Sequence, residues 1–327
     1  MITFTWCEQL GDGDRDEVVA LVTAAAEYDG EAGFTTIDPR AAAAVSGGGT
    51  AVWHLPIKAR RGFSTRADAP LELVAYLHLT VDEQRRGSAA LVVHPRYRSR
   101  GVATSLAEEL GFDAGAPQGW CGTGATALRG WAYGSHPATE RIARRFGVRA
   151  VARLWTMLRP LTGPLAAPLE PVAAADAELT TADVAAAGPR MRAVLTGAAL
   201  PASQARRLAL DLDDHAGRVL LATGGDGTDL GFAWFDPTLR EHLELRTATV
   251  RALVLGPGAR GSGLGAALLV RTLTELKDGG AQLARMRMDP DNEAALRTMR
   301  SLSFEQEDAH ACYQIGEWAE PPIYPGR

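Results

Sequence analysis

Cysteine is scarce: Cys7, Cys121 and Cys312 are the three in 327 residues, far apart and in no C-x-x-C or other zinc spacing. An odd, scattered set excludes a disulfide framework and fits reduced intracellular thiols. Long apolar runs are also missing. No stretch reaches the roughly 18 apolar residues of a membrane span, and MITFTWCEQLGDGDRDE lacks a basic segment followed by an apolar one, so a cytoplasmic protein with no membrane partner is expected. Excess positive charge is absent. With 34 Lys and Arg against 39 Asp and Glu the net charge is -5, which argues against nucleic acid as a partner. Seven histidines fall in no H-x-H or H-E-x-x-H spacing, and there is no G-x-x-x-x-G-K-S/T loop and no G-x-S-x-G nucleophile turn. No metal site is expected.

What is present is apolar material for more than one core. Hydrophobic residues make up 46% and charged residues 22%, and the length suits two domains of about 150 residues. Two segments repeat one layout: LVVHPRYRSRGVATSLAEEL from Leu91 and LVLGPGARGSGLGAALLVRTL from Leu253. They align without a gap, Pro95 with Pro257, Arg98 with Arg260, Gly101 with Gly263 and Ala103 with Gly265, at an offset of 162 residues. Solenoid repeats run about 20 to 50 residues, so this period means duplicated domains. The expected boundaries are 1–161 and 181–327, joined by the Pro- and Ala-rich 162–180 as linker and lead into the second domain.

Apolar spacing predicts the elements. In the first half these are a helix over Arg15–Glu27, strands at Ala51–Pro56, Leu71–Val81 and Leu91–Val93, a helix from Gly101 to Leu110, a short strand at Gly130–Tyr133, a helix at Ala138–Phe146 and closing strands over Val148–Leu158. The second half runs from a weakly patterned helical stretch, Ala182–Ala209, through strands at Arg218–Ala222, Leu230–Phe235 and Val250–Leu255 to a helix over Gly263–Lys277. A strand at Leu283–Met288, a helix at Asn292–Leu302 and a final strand pair around Phe304–Ile315 complete it. The fold class is α+β, layered, with a mixed sheet flanked by helices in each half.

The repeated turn carries the chemistry. A helix N-terminus presents unpaired N–H groups and about half a positive charge, so a glycine-lined approach to it cradles an anion such as a pyrophosphate. Arg98, Arg100 and Arg260 can add charge-assisted hydrogen bonds. The bland alternative, glycines ending strands beside solvated basic loops, weakens when the pattern occurs twice in register. Gly261-x-Gly263-x-x-Ala266 also resembles a dinucleotide fingerprint, but Gly256-Pro257-Gly258-Ala259-Arg260 separates it from its strand and the first copy lacks the glycine set.

Arg98-Ser99-Arg100-Gly101-Val102-Ala103 and Arg260-Gly261-Ser262-Gly263-Leu264-Gly265 resemble the Arg/Gln-x-x-Gly-x-Gly/Ala signature of the GCN5-related N-acetyltransferase (GNAT) family, and DPDNEAALRTMRSLSF resembles that family's Asn-x-x-Ala helix. The resemblance implies two tandem GNAT-like domains, each a mostly antiparallel mixed sheet with helices, and acetyl-CoA as donor. It implies that Leu91, Val92 and Val93, and Leu253, Val254 and Leu255, pair with the pantetheine arm. It places the pyrophosphate on Arg98, Ser99, Arg100, Gly101, Val102, Ala103 and Thr104, and on Arg260, Gly261, Ser262, Gly263, Leu264, Gly265 and Ala266, and adds Asn292 as a further contact. LVTAAAEYDG, WAYGSHP, LWTMLRPL and GFAWFDP bring the chain closer to the mycothiol synthase family of tandem acetyltransferases. That resemblance implies acetylation of the cysteine amine of cysteinyl-glucosaminyl-inositol, with the second domain catalytic.

The chain departs from that pattern where chemistry is expected. Met299 stands in place of a tyrosine that reprotonates the thiolate, Ser303 in place of a glycine, Thr249 and Thr36 in place of acidic residues and Arg287 in place of an aromatic one. A thioether donates no proton. Tyr313, Glu241 and Glu244 are candidate substitutes, and no catalytic residue is assigned. The readings left open are a mycothiol synthase-like enzyme, an N-acetyltransferase of another small-molecule amine, and a non-catalytic acetyl-CoA-binding relative. A monomer is expected.

Overall fold

The computed structural model describes residues 2–30, 37–64, 66, 68–134, 137–174, 176–214 and 216–325. The chain forms two compact units. The first takes the chain as far as Ala152 together with His310–Glu320; the second takes Arg153–Ala309 and the tail from Pro321. These limits differ from the sequence boundaries: residues 153–161 pack with the second unit and 310–320 with the first.

In the first unit, strands β1 (Ile2–Phe4), β2 (Ala51–Arg60), β3 (Leu71–Val81) and β4 (Arg86–Val93) pair antiparallel in order. Strand β5 (Ala127–Ala132) joins β4 in parallel, and its far side pairs antiparallel with Ala311–Gly316 of the chain's last strand, β12 (Glu305–Gly316). Helix α1 (Asp12–Gly30) covers one face, burying Val18, Leu21, Val22 and Ala25 against Tyr76 and Val92. Helix α2 (Val102–Leu110) lies in the cluster on the other, where Val102 and Leu106 pack with Leu55, Ile57, Leu77 and Leu79. Helix α3 (Pro137–Arg145) precedes β6 (Arg149–Pro160).

The second unit repeats the order. Strands β7 (Glu178–Asp183), β8 (Arg218–Thr223), β9 (Asp229–His242) and β10 (Leu245–Leu255) run antiparallel, β11 (Leu283–Met288) adds in parallel, and Trp155–Pro160 of β6 pairs antiparallel with β11. Helices α4 (Val184–Gly197) and α5 (Ala202–Asp211) cover one face, and α6 (Leu264–Asp278) and α7 (Glu293–Ser301) the other. Leu268, Leu269 and Leu273 of α6 are fully buried, each stabilising the core by about 1.5–3 kcal/mol. Helix α6 stops where Gly279 N–H bonds to the Glu275 carbonyl and Gly280 turns to a φ of 92°.

The α+β expectation holds, with differences of detail. Strand β7 starts inside the expected linker, the helical stretch 182–209 is two helices broken at 198–201, and each closing strand pair is one long strand. Gly188-Pro189 inside α4 explains the weak pattern there, since proline removes a ladder hydrogen bond. Among the described residues no helix is long and apolar enough to cross a membrane, and no group of three or more His, Cys, Asp or Glu side chains is placed to hold a metal ion.

Candidate active site

Each unit opens its sheet at the one parallel step. β4 and β5 pair from Arg86↔Ala127 to Ser88↔Arg129, and β10 and β11 from Thr247↔Leu283 to Val250↔Met286. The strands then part, so among the described residues 89–93 and 251–255 are paired with β3 and β9 alone. These two stretches lie 162 residues apart, as the glycines do. They contain Leu91, Val92 and Val93 and Leu253, Val254 and Leu255, whose second backbone edge faces the gap.

The loops that follow are conformational copies. A single 3-10 turn, Pro95–Tyr97 or Pro257–Ala259, tucks in a buried residue, Tyr97 or Ala259. Arg98 and Arg260 are extended, at φ/ψ of -66°/156° and -74°/140°. Ser99 and Gly261 then turn left-handed at φ 58° and 75°, and Gly101 and Gly263 do so again, both at 82°. A left-handed residue beside a helix start turns successive N–H groups toward one point, the geometry of an anion nest. A Cβ on Gly101 or Gly263 would meet nothing within 4 Å, so these glycines serve conformation and leave the space before the helix clear.

In α2 the first intrahelical bond runs from Ser105 N–H to the Gly101 carbonyl at 2.8 Å, so the N–H groups of Val102, Ala103 and Thr104 precede the ladder. In α6 it runs from Ala267 N–H to the Gly263 carbonyl at 3.1 Å. Ser262 Oγ accepts from Leu264 N–H at 3.3 Å, leaving Gly265 and Ala266 N–H ahead of the ladder. Gly265 also serves packing: its Cβ would lie 3.2 Å from a Leu255 methyl, and the aligned positions in the first unit are Ala103 and Val93.

The arginines are not aimed as the sequence suggested. Arg98 forks onto Asp29, Nη1 to Oδ1 at 2.5 Å and Nη2 to Oδ2 at 2.8 Å, gives Nε–H to the Val93 carbonyl at 3.1 Å and lies over the Tyr28 ring. It ties the loop to the end of α1. Arg260 Nη2 likewise donates to the Ala199 carbonyl at 2.8 Å, just beyond α4. Exposed Arg100, stacked 5.7 Å from the Tyr97 ring, has no such tether among the described residues. Two of the three arginines thus hold the shape of the loops, and the N–H groups ahead of each helix ladder are the donors that the loops present. His94, at the loop's start, has its pKa lowered by burial and by the charges of Arg96 and Arg98.

Other sequence candidates lie elsewhere. Asn292 Oδ1 accepts from Ala295 N–H at 3.2 Å and so caps α7. Met299 is fully buried in the apolar cluster beneath α6 and α7. Glu241, opposite Arg246, and Glu244 lie at the far end of the β9–β10 hairpin, about 15 Å along the strand from the fork. Tyr313 belongs to the first unit, opposite Gly130. Thr36 lies outside the described residues.

Asp236, absent from that set, meets Thr249 at the second fork. Thr249, where an acid was expected, faces Asp236 across the antiparallel β9–β10 ladder, so the two side chains share a face. Asp236 Oδ2 accepts from Arg251 Nη2 at 2.8 Å. Asp308 has its pKa raised by burial and by the charge of Glu307, with Arg285 and His242 opposing. Only the pairing of β9 with β10 joins Asp236 to Thr249, and no local pattern marks it.

Comparison with known proteins places this architecture. The mycothiol acetyltransferase of Salinispora tropica is 33% identical over 256 residues, covering 75% of this chain and 78% of that protein. That of Saccharomonospora viridis is 30% identical over 333 residues, covering 97% of this chain and all of its own length. Among solved structures, a GCN5-related N-acetyltransferase from Sphaerobacter thermophilus matches at a TM-score of 0.55 and 19% identity, over 98% of this chain and 97% of that one. A tandem GNAT protein from the clavulanic acid biosynthesis pathway matches at 0.55 and 18%, over the full length of both. No family model matches the chain. The structural matches carry the fold, two GNAT units in tandem; the sequence matches carry the family, and the chain belongs to the mycothiol acetyltransferases, an acyltransferase family.

Proposed function

We propose that the chain is an acetyl-CoA-dependent N-acetyltransferase that acetylates the cysteine amine of cysteinyl-glucosaminyl-inositol, with turnover in the second unit. The observation that carries this reading is the open fork of β10 and β11 ending in the left-handed loop at Gly263. An unpaired strand edge suits the amides of a pantetheine arm, and the N–H groups of Gly265 and Ala266 with the Gly263 turn suit its pyrophosphate. The fork at Gly101 offers the first unit the same fit. Ser99, Arg100, Val102, Ala103 and Thr104 there, and Arg260, Gly261, Ser262 and Leu264 in the second unit, form the walls of the two cradles.

The chain's own contribution to the chemistry is placement. Holding an amine against a thioester carbonyl removes most of the entropic barrier, and strand N–H groups at the fork polarise that carbonyl. Met299 leaves no side-chain proton donor at its position, so as the C–S bond breaks the thiolate takes a proton from water. Water also takes up the proton that the attacking nitrogen loses as the C–N bond forms.

The test is CoA release by the full-length protein with cysteinyl-glucosaminyl-inositol and with a panel of free amines. Release accelerated by the first acceptor is expected. If acetyl-CoA raises the melting temperature while no acceptor accelerates release, the chain binds the donor without using it and the reading fails.

A further inference from the structure

Strand β10 changes faces halfway along. Ala248 and Val250 pack in the cluster beneath α6, whereas Ala252 and Val254 pack with α4 and α5. Such a change requires an extra residue, and the register supplies it: Val250 pairs with Phe235 and Ala252 with Trp234, leaving Arg251 as a bulge. The bulge turns Arg251 toward the Trp234 ring, 5.2 Å away, and toward Asp236, on the face that carries Thr249. Arg251 is also the first residue past the last β10–β11 pair, at the apex of the fork.

Its side chain is only 6% exposed, and one nitrogen, Nη2, meets Asp236. Nε and Nη1 are buried with no hydrogen-bond partner among the described residues. Arg285, level with Thr249 on the other side, also holds a buried, unpartnered Nε. Leaving a buried donor unmade costs about 1–3 kcal/mol, so stability does not explain three of them around one threonine. Asp236 already balances the charge of Arg251. A carboxylate entering beside Asp236 would meet repulsion, whereas a hydroxyl or amide carbonyl oxygen needs a donor and no net charge.

We infer that Arg251 recognises the acceptor through hydrogen bonds from Nε and Nη1 to neutral oxygen atoms, which selects amines carrying carbonyl or hydroxyl groups over amines carrying a free carboxylate. This rests on the acetyltransferase reading for the fork but makes its own claim about binding.

The experiment titrates cysteinyl-glucosaminyl-inositol and free cysteine, separately, into full-length protein saturated with CoA. The wild type is set beside Arg251→Met and the charge-balanced double variant Arg251→Met/Asp236→Asn, which leaves no buried carboxylate unpaired. The wild type binds the first ligand at least tenfold tighter than cysteine. Both variants lose at least tenfold of that affinity while acetyl-CoA still raises their melting temperature as it does for the wild type. In turnover the acceptor KM rises in the same proportion and kcat changes far less. Undiminished binding in the double variant, tighter binding of cysteine, or no binding of the first ligand to the wild type overturns the inference. Binding that depends on Arg251 with no CoA release supports it while the transferase reading fails, and release indifferent to Arg251 does the reverse.

Discussion

His54 is fully buried, its Nε2 3.0 Å from the Ala44 carbonyl and its Nδ1 2.6 Å from the Tyr76 hydroxyl. A carbonyl only accepts, so Nε2 carries the proton and Nδ1 accepts from Tyr76. The neutral ring is thus fully used. His78, 5.6 Å from that ring and with a buried, unpartnered Nε2, is pushed down to about 4 by burial and by the proximity of His54. Unfolded histidine takes its proton near pH 6.5, and folded His78 refuses it until about 4. The His78 contribution to stability is therefore level above 6.5 and falls as pH drops through that window, by up to about tenfold in the folding equilibrium per pH unit. His54 and His94, also shifted down, add in the same direction. Urea midpoints measured from pH 7.5 to 4.5 should show this slope, and His78→Phe should flatten it by about one proton; an unchanged slope would show that His78 is not the group responsible. Little of this was legible in the sequence. The β3 alternation places Tyr76 and His78 on one face, but the contact with His54 depends on the pairing of β2 with β3.

At the scale of elements, the fork and its loop were legible because they are local. Two glycine-bearing copies in register gave the turn, the helix start and the strand before it without reference to any distant residue. The side chains around them were not legible, because each answers a neighbour far along the chain: Arg98 answers Asp29, and Arg260 answers the Ala199 carbonyl. The bulge at Arg251 leaves no mark in the sequence, since a strand with one extra residue still reads as a run of apolar positions. The two loops make a paired prediction. Gly263→Glu places a carboxylate where the anion would lie and forces a side chain onto a φ of 82°, so acetyl-CoA affinity of the second unit should fall at least tenfold. Gly101→Glu should do the same to the first unit. If turnover resides in the second unit, Gly263→Glu abolishes CoA release and Gly101→Glu leaves most of it, as single-turnover assays with titrated acetyl-CoA would read; equal loss from either variant would refute that assignment.

At the scale of the whole molecule, duplication was legible and the composition of each unit was not. The offset of 162 residues suggests two halves cut near 161, yet the strand that completes the first unit's sheet is 311–316 and the one that completes the second is 155–160. Each strand buries polar as well as apolar residues, Cys312 and Gln314 in one and Thr156, Met157 and Arg159 in the other, so no pattern within them names the partner. The consequence reaches Arg129, only 8% exposed, whose Nε donates to Gln314 Oε1 at 2.8 Å and whose Nη2 donates to the Trp318 carbonyl at 2.9 Å. Its guanidinium also lies 4.1 Å from the Trp318 ring. A fragment of residues 1–161 keeps the cradle at Gly101 and loses all of these partners, leaving a buried charge uncompensated and β5 with a bare edge. Such a fragment should lack a cooperative thermal transition by circular dichroism and should aggregate. The same fragment extended by a flexible linker into residues 308–320 should regain the transition and, with it, stabilisation by acetyl-CoA. A fragment 1–161 that melts cooperatively without the added strand would mean that the first half closes its own sheet, and that its last strand has a second, equally stable place to pair.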